Sequence, residues 1–242
     1  AAMMIMLYTG TMDDLLDLSA LLRFAVEIGV VMLLIYANDI SINNFNGLWG
    51  VSVIPDTLAI PLTIFASVGI INAINMIDGV NGLSSGYCIM ASIAFGSLFY
   101  ASDNVSMLIL AAVSVGSLIP FLFHNVFGKT SKMFIGDGGT LVMGVVMSTF
   151  VINILTNGSS VSSSVDSNFG LVPFTLAVMA IPVFDTLRVM LTRIVRGTSP
   201  FHPDKTHLHH LFIDLGFSHA GTTVTIITLN ILVIVAQWLA WH

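Results

Sequence analysis

Residues 57–76, 85–101 and 105–124 form three long apolar runs that contain no Asp, Glu, Lys or Arg. A helix that crosses a bilayer needs about 20 predominantly apolar residues. Within lipid its backbone groups must pair inside the segment, so such runs fold as helices. Similar runs occur at 20–37, 138–156, 170–194 and 220–242, and residues 1–10 supply half a span. Composition agrees, because 8% of the 242 residues are charged, against about 25% in soluble domains. The expected fold is therefore an all-α integral membrane protein, a multi-span helical bundle. One exception is predicted. The stretch 38–56 is polar and turn-rich, and its alternation predicts a short β-hairpin near residues 41–54. The Ser-rich stretch 157–167 predicts a flexible, exposed loop. No internal repeat is visible. Residues 1–10 lack the basic region of a signal peptide and read as the end of a longer helix, which predicts a fragment.

The distribution of charge sets the topology. With sides numbered alternately along the runs, one side receives the loops around 11–19, 77–84, 125–137 and 195–219. All seven basic residues fall in or beside these loops: Arg23, Lys129, Lys132, Arg188, Arg193, Arg196 and Lys205. The other side receives 38–56, 102–104 and 157–169 and carries only Asp39, Asp56, Asp103 and Asp166. By the positive-inside rule the first set is cytoplasmic, and the predicted hairpin is not. Seven basic residues in total exclude a nucleic-acid footprint. The single cysteine, Cys88, can form no disulfide within the chain.

The polar clusters sort onto that same side: MDDLLD at 12–17, NAINMIDGVNGL at 72–83, HNVFGKTSKMFIGDGGT at 124–140 and SPFHPDKTHLHH at 199–210. Motifs far apart in sequence but on one membrane face predict a single site formed by cytoplasmic loops. Asp13 and Asp14 are adjacent carboxylates, which repel unless a cation lies between them, and hard divalent ions prefer such oxygens. The alternative is an acidic helix start with Asp17 capping the next run. Asp137 stands at the mouth of a run before two glycines, where backbone N–H groups attract anions; it also reads as a helix cap. Asn125 ends a run and can face inward, while Lys132 reads as an interfacial cation. His207, His209 and His210 cannot all point one way along a regular element. They suit phosphate or base contacts better than zinc, since no closed ligand set accompanies them. Asp185 and Arg188 are spaced i,i+3 as an intramembrane pair that is structural or functional. Glu27 reads as facing the bundle near the interface, and Cys88 as packing.

On these clusters the sequence resembles the polyprenyl-phosphate N-acetylhexosamine-1-phosphate transferases, in their WecA/TagO-like branch, a family related to MraY. DDLLDLS matches the family's DDxxD region and NAINMIDGVNGL its NAxNxIDGxDGL. FIGDGGT matches FxGDxGS and SPFHPDKTHLHH matches SPFxPDxxHxHH, in family order and across essentially the whole chain. The resemblance implies one transmembrane transferase domain over 1–242, truncated at the start and at the end. It implies transfer of a sugar 1-phosphate, by default GlcNAc 1-phosphate, from a UDP-sugar to undecaprenyl phosphate, with release of UMP. The reaction starts a surface polysaccharide at the cytoplasmic face of the bacterial inner membrane. Mg²⁺ is the implied cofactor, with Mn²⁺ as substitute, and the implied partners are the two substrates and the bilayer; a homodimer is left open.

By matching position, Asp13 and Asp14 would be a catalytic pair at the lipid phosphate and the metal. Asp137 would be a catalytic Mg²⁺ ligand, and Asn75 matches an asparagine that ligates metal in dolichol-type relatives. Asp78, counted with the catalytic carboxylates, would line the nucleotide pocket with Asn72 and Asn81, joined by Asn125. Arg23 matches a basic position near the phosphates, and His207, His209 and His210 would contact the phosphates or sugar. Asn81 departs from the family's aspartate: it keeps an acceptor but loses the charge, which suits binding and not proton transfer. Thr140 in place of Ser keeps the hydroxyl. Competing readings are a binding-only homologue and a transporter, although transporter sites lie near the bilayer midplane and these clusters lie on one face.

Overall fold

A computed structural model describes residues 1–128, 135–164, 170–200 and 205–240. The apolar runs fold as helices: α1 (Ala2–Leu16), α2 (Ala20–Asn38), α3 (Asp56–Met76), α4 (Leu83–Ala101), α5 (Val105–Phe127) and α6 (Gly136–Ile154). After them come a short turn α7 (Ser160–Ser164), then α8 (Leu171–Val178), α9 (Ala180–Val195), α10 (Leu208–Asp214) and α11 (His219–Ala240). Six of these, α2 to α6 and α11, are long and apolar enough to cross a membrane, and α8 with α9 makes a seventh if the bent pair is one span. The chain is a multi-pass, all-α membrane protein.

α6 is the centre of the bundle: Val145, Met147, Ser148, Phe150, Ile152 and Ile154 are fully buried. Lipid tails are as apolar as leucine, so what holds helices together here is close packing more than water exclusion. Two crossings depend on glycine. A Cβ on Gly10 of α1 would lie 2.5 Å from the carbonyl carbon and oxygen of Asp137, and closer still to Gly138 N. A Cβ on Gly144 would lie 2.7 Å from Ile71 Cα on α3. Backbone-to-backbone contact at both points brings the ends of α1, α3 and α6 together. Further along, Phe150 packs against Phe95 and Phe99 of α4, with centroids 5.8 and 5.3 Å apart.

The span expected at 170–194 is broken at Met179, where α8 and α9 meet at 73°. Such a break frees backbone groups that must be satisfied inside the protein. Asn230 of α11, fully buried, does this. Its amide donates to Ala177 O (3.3 Å) and Val178 O (3.1 Å), and its Oδ1 accepts from Ile181 N (3.1 Å). The Tyr87 hydroxyl also donates to Val178 O.

The expected β-hairpin near residues 41–54 is corrected. Among the described residues there is no strand; one antiparallel bridge joins Asn44 to Val53. The reason is where the backbone donors go. Asn43 N and Asn44 N both donate to Leu155 O at the end of α6 (3.1 and 2.9 Å), and Ile42 N donates to Thr63 Oγ1 (2.8 Å). The tip then coils into a 3-10 turn at Leu48–Gly50, with Asn46, Gly47, Trp49 and Gly50 at positive φ. The loop expected at 157–167 differs too. Ser160–Ser164 is a helical turn whose Val161 is fully buried, and residues 165–169 lie outside the described residues.

Candidate active site

The last turns of α1, the start of α2, the end of α3 and the start of α6 form one polar cluster. α1 ends at Asp17, whose left-handed backbone (φ 52°) turns the chain while its N–H donates to Asp13 O. Ser19, and not Asp17, caps α2, its side chain accepting from Leu22 N. Arg23, in the first turns of α2, therefore points back at α1. Its Nη1 donates to Asp13 Oδ2 at 2.6 Å and lies 3.6 Å from Asp137 Oδ2. The other oxygen of this buried carboxylate accepts from Leu18 N at 2.8 Å, so both oxygens are engaged.

Asp14 is exposed, and both its oxygens accept from Asp137 N (3.2 and 3.1 Å). A carboxylate of α1 thus sits at the N-terminus of α6, where the partial positive charge of the helix end favours it. Asp137 does not cap its own helix but lies within its first turn. The approach requires Gly136: its φ is +64°, and a Cβ there would lie 2.7 Å from Asp14 Oδ2.

Asn75 fixes the Asp137 side chain. Its Nδ2 donates to Asp137 Oδ1 at 2.9 Å and to Thr140 Oγ1 at 2.8 Å. Both N–H groups are used, which leaves Asn75 Oδ1 as an acceptor. Asn72, one turn earlier, donates to Glu27 Oε2 at 2.5 Å and to Val68 O at 2.9 Å. Its amide ties α3 to α2, so only its Oδ1 is left for a ligand. Glu27 is 1% exposed. Glu27 Oε1 and Arg23 Nε are both buried without a hydrogen-bond partner, an arrangement that costs roughly 1–3 kcal/mol per group unless water or a ligand completes it.

A second cluster forms where the turn after α3 meets α10. Asp78 accepts from Ser84 Oγ at 2.5 Å, the hydroxyl lying in the first turn of α4. Burial pushes the Asp78 carboxyl above the usual range; the Ser84 bond acts in the opposite direction and the Asp14 charge adds to the rise. Next to it, a Cβ on Gly79 would lie 2.8 Å from His209 Cδ2 and closer to Nε2. The imidazole is seated on the glycine of the IDG turn. Burial, then the neighbouring His210 and His207, push His209 down to about 4, so it is neutral at pH 7. The His207 and His209 rings are parallel, 9° apart with centroids at 5.9 Å, and His210 lies 4.3 Å from His209.

Of the other expected pocket residues, Asn81 lies in the turn after α3 and Asn125 near the end of α5. Asn81 O accepts from Thr223 Oγ1 of α11 at 2.9 Å. Gly82 faces Val126 and Leu122 of α5, and Asn125 is buried in the last turn of that helix. Lys129 and Lys132 lie outside the described residues. Ser84 carries no signal of a site in the sequence; it pairs with Asp78, six residues before it. Thr140, the motif hydroxyl, pairs with Asn75 across 65 residues. Glu27 faces the bundle as expected, but nothing in the sequence marked its pairing with Asn72, 45 residues away.

Residues 1–155 match the family model described as glycosyl transferase family 4. The chain belongs to that family. It is 28% identical over 229 residues to the undecaprenyl-phosphate alpha-N-acetylglucosaminyl 1-phosphate transferase of Escherichia coli K12, covering 92% of this chain and 59% of that protein. It is 30% identical over 228 residues to the Salmonella typhi protein of the same name, with the same coverage. The probable undecaprenyl-phosphate N-acetylglucosaminyl 1-phosphate transferase of Bacillus subtilis is 29% identical over 230 residues, again with 92% and 59% covered. The chain spans about three-fifths of the length of these relatives.

In this glycosyl transferase family 4 chain the first cluster is oxygen-rich and carries one guanidinium. Among the described residues no three His, Cys, Asp or Glu close a metal site by themselves. Open oxygen donors are Asp137 Oδ2, Asn75 Oδ1 and the exposed Asp14 carboxylate, a set that could hold a hard cation only with help from ligand oxygens. Asp13 accepts one bond on each oxygen and so keeps a lone pair on each. The second cluster offers a neutral imidazole and a carboxyl of raised proton affinity, groups suited to hydrogen-bonding a neutral or anionic polar ligand.

Proposed function

We propose that the protein transfers a sugar 1-phosphate, GlcNAc 1-phosphate by preference, from a UDP-sugar to undecaprenyl phosphate at the cytoplasmic face of a bacterial inner membrane. A lipid phosphate oxygen forms a bond to the phosphorus that bears the sugar, the bond from that phosphorus to the bridging oxygen breaks, and UMP leaves. The names of the relatives support the acceptor and the sugar, and the positive-inside distribution of Lys and Arg supports the orientation.

One observation carries the reading. Asp13, Asp14, Arg23, Asn75 and Asp137, from four helices, are held together by direct hydrogen bonds and ion pairs at one end of the bundle. Two anions must meet in this reaction, so the barrier is chiefly electrostatic, and catalysis is mostly positioning plus charge neutralisation. Arg23 Nε is a buried donor without a protein partner and is suited to a phosphate oxygen. Asp13 holds that guanidinium in place. The lipid phosphate, with a second pKa of about 6, is mostly dianionic at neutral pH, so no strong base is required of Asp13 or Asp14. Mg²⁺, which takes one or two carboxylates and completes its shell with substrate phosphates and water, would supply further neutralisation on the diphosphate. Asp137 Oδ2 and Asn75 Oδ1 would hold it, with Asp14 beside them. His209, neutral and seated on Gly79, would hydrogen-bond the sugar nucleotide from the opposite wall, with Asp78 and Asn81.

The protein, given UDP-GlcNAc, Mg²⁺ and undecaprenyl phosphate, is expected to release UMP, and Asp137→Asn to abolish most of that release and its Mg²⁺ dependence. A folded protein that releases no UMP with any UDP-N-acetylhexosamine would refute the function. Unchanged Mg²⁺ dependence in Asp137→Asn would refute the assignment of the metal.

A further inference from the structure

Asp185 is the most heavily bonded carboxylate outside the first cluster, and the reaction sketched above does not use it. It lies in α9, just beyond the 73° break, with 6% of its side chain exposed. Oδ1 accepts from Arg188 Nη2 (2.7 Å) and Nε (3.2 Å). Leu208 N lies 3.2 Å from Oδ1 and 3.1 Å from Oδ2, and His207 Nδ1 lies 3.0 Å from Oδ2. Arg188 Nη2 also donates to Thr206 O at 2.5 Å, so the same ion pair grips the chain immediately before the histidines.

We infer that Asp185 is a positioning residue for the sugar-nucleotide wall: through His207 and Leu208 N it sets the start of α10, and so seats His209 over Gly79. The inference rests on the proposed function. A carboxylate at Nδ1 fixes one tautomer, with the proton on Nδ1 and a lone pair on Nε2. It also fixes the ring plane, and the parallel His207 and His209 rings pass that orientation on. The chain of contacts runs from Asp185 to His207, to His209, to Gly79, linking α9 to the turn after α3. Asp185 touches none of the first-cluster residues in any described contact. Its influence should therefore fall on the nucleotide and spare the lipid phosphate.

The test is a double-mutant cycle in the full-length protein with Asp185→Asn, His207→Gln and the double variant. UMP release is measured while UDP-GlcNAc and undecaprenyl phosphate are varied in turn. Each single change is expected to raise KM for UDP-GlcNAc about tenfold, the scale of one lost charge-assisted hydrogen bond, and to leave KM for undecaprenyl phosphate within about twofold. The double variant should be no worse than the worse single one, because the two residues act in series. Should Asp185→Asn not fold, Asp185→Glu takes its place in the cycle. Additive losses, or equal losses for both substrates, overturn the inference, since a merely structural role lowers the active fraction without selecting a substrate. A second arm does not need turnover. In histidine-¹⁵N-labelled protein His207 should show the Nδ1–H tautomer and lose it in Asp185→Asn; an unaltered His207 signal overturns the inference. Absence of UMP release from the wild type would refute the proposed function and leave this spectroscopic result to stand or fall separately.

Discussion

Gly79→Ala isolates the contact between two motifs that are 130 residues apart in the chain. Gly79 has no positive φ and is exposed, so a methyl group there carries no backbone penalty. Its only cost is steric. The added Cβ would sit 2.8 Å from His209 Cδ2 and 3.0 Å from Cε1, with Nε2 closer still, whereas ordinary carbon contacts are about 3.5–4.0 Å. The imidazole must therefore retreat by about 1 Å. His209 is 3% exposed and has the His207 and His210 rings beside it, so it has little room to retreat. Overpacking of this kind costs roughly 1–3 kcal/mol, and a misplacement of about 1 Å in a binding group costs up to about 10²-fold in rate. UMP release by full-length Gly79→Ala is expected to fall by about 10- to 100-fold in kcat/KM for UDP-GlcNAc. In a His209→Ala background the same change should cost less than about twofold further, because the clash is gone. Wild-type activity in Gly79→Ala, or an equal additional loss in the His209→Ala background, would refute the seating of His209 on that turn.

Protonation of His209 supplies a stability test. Its folded-state value of about 4 lies below the ordinary 6.5, so between these values the unfolded chain binds the extra proton. Stability is fully present above about pH 6.5 and is lost as pH falls towards 4, by up to about 3 kcal/mol. Detergent-phase thermal unfolding against pH should show a shallower acid decline in His209→Gln; parallel curves would refute the neutral, buried imidazole. Asn230→Leu removes three hydrogen bonds at the α8–α9 break. Val178 O keeps Tyr87 and the Ala177 O contact is long, so Ile181 N is the principal loss, about 1–3 kcal/mol. Thermal unfolding should register it, and an unchanged midpoint would show that the break does not depend on that side chain.

The sequence made the helices legible because uncharged runs of about 20 residues have one stable form in lipid, and it made the polar clusters legible because each ends or starts such a run. The partners were not legible. Residues 48–54 alternate like a strand, yet on the facing arm the N–H groups of Asn43 and Asn44 go to Leu155, a residue more than 100 positions later. The break at Met179 lies three residues before Pro182, which has no N–H to give Val178 O, but the groups that satisfy that carbonyl, Tyr87 and Asn230, come from other helices. Asp137 looks like a cap in isolation, but the capping carboxylate is Asp14 from another helix. Asp185 and Arg188 were visible as a pair, whereas their hold on the histidine loop depended on a fold-level approach that spacing does not encode.

The bond from Asp137 N to Asp14 has a consequence for how mutational surveys of this protein should be read. A carboxylate beside a reaction centre, intolerant of replacement, invites the label of general base. Here the same intolerance arises if Asp14 only anchors the first turn of another helix, because freeing that turn would let Asp137 drift. Inactivity after Asp14→Ala therefore cannot separate proton abstraction from scaffolding. A solvent isotope effect or a pH–rate profile on a weakened but folded Asp14→Asn variant could.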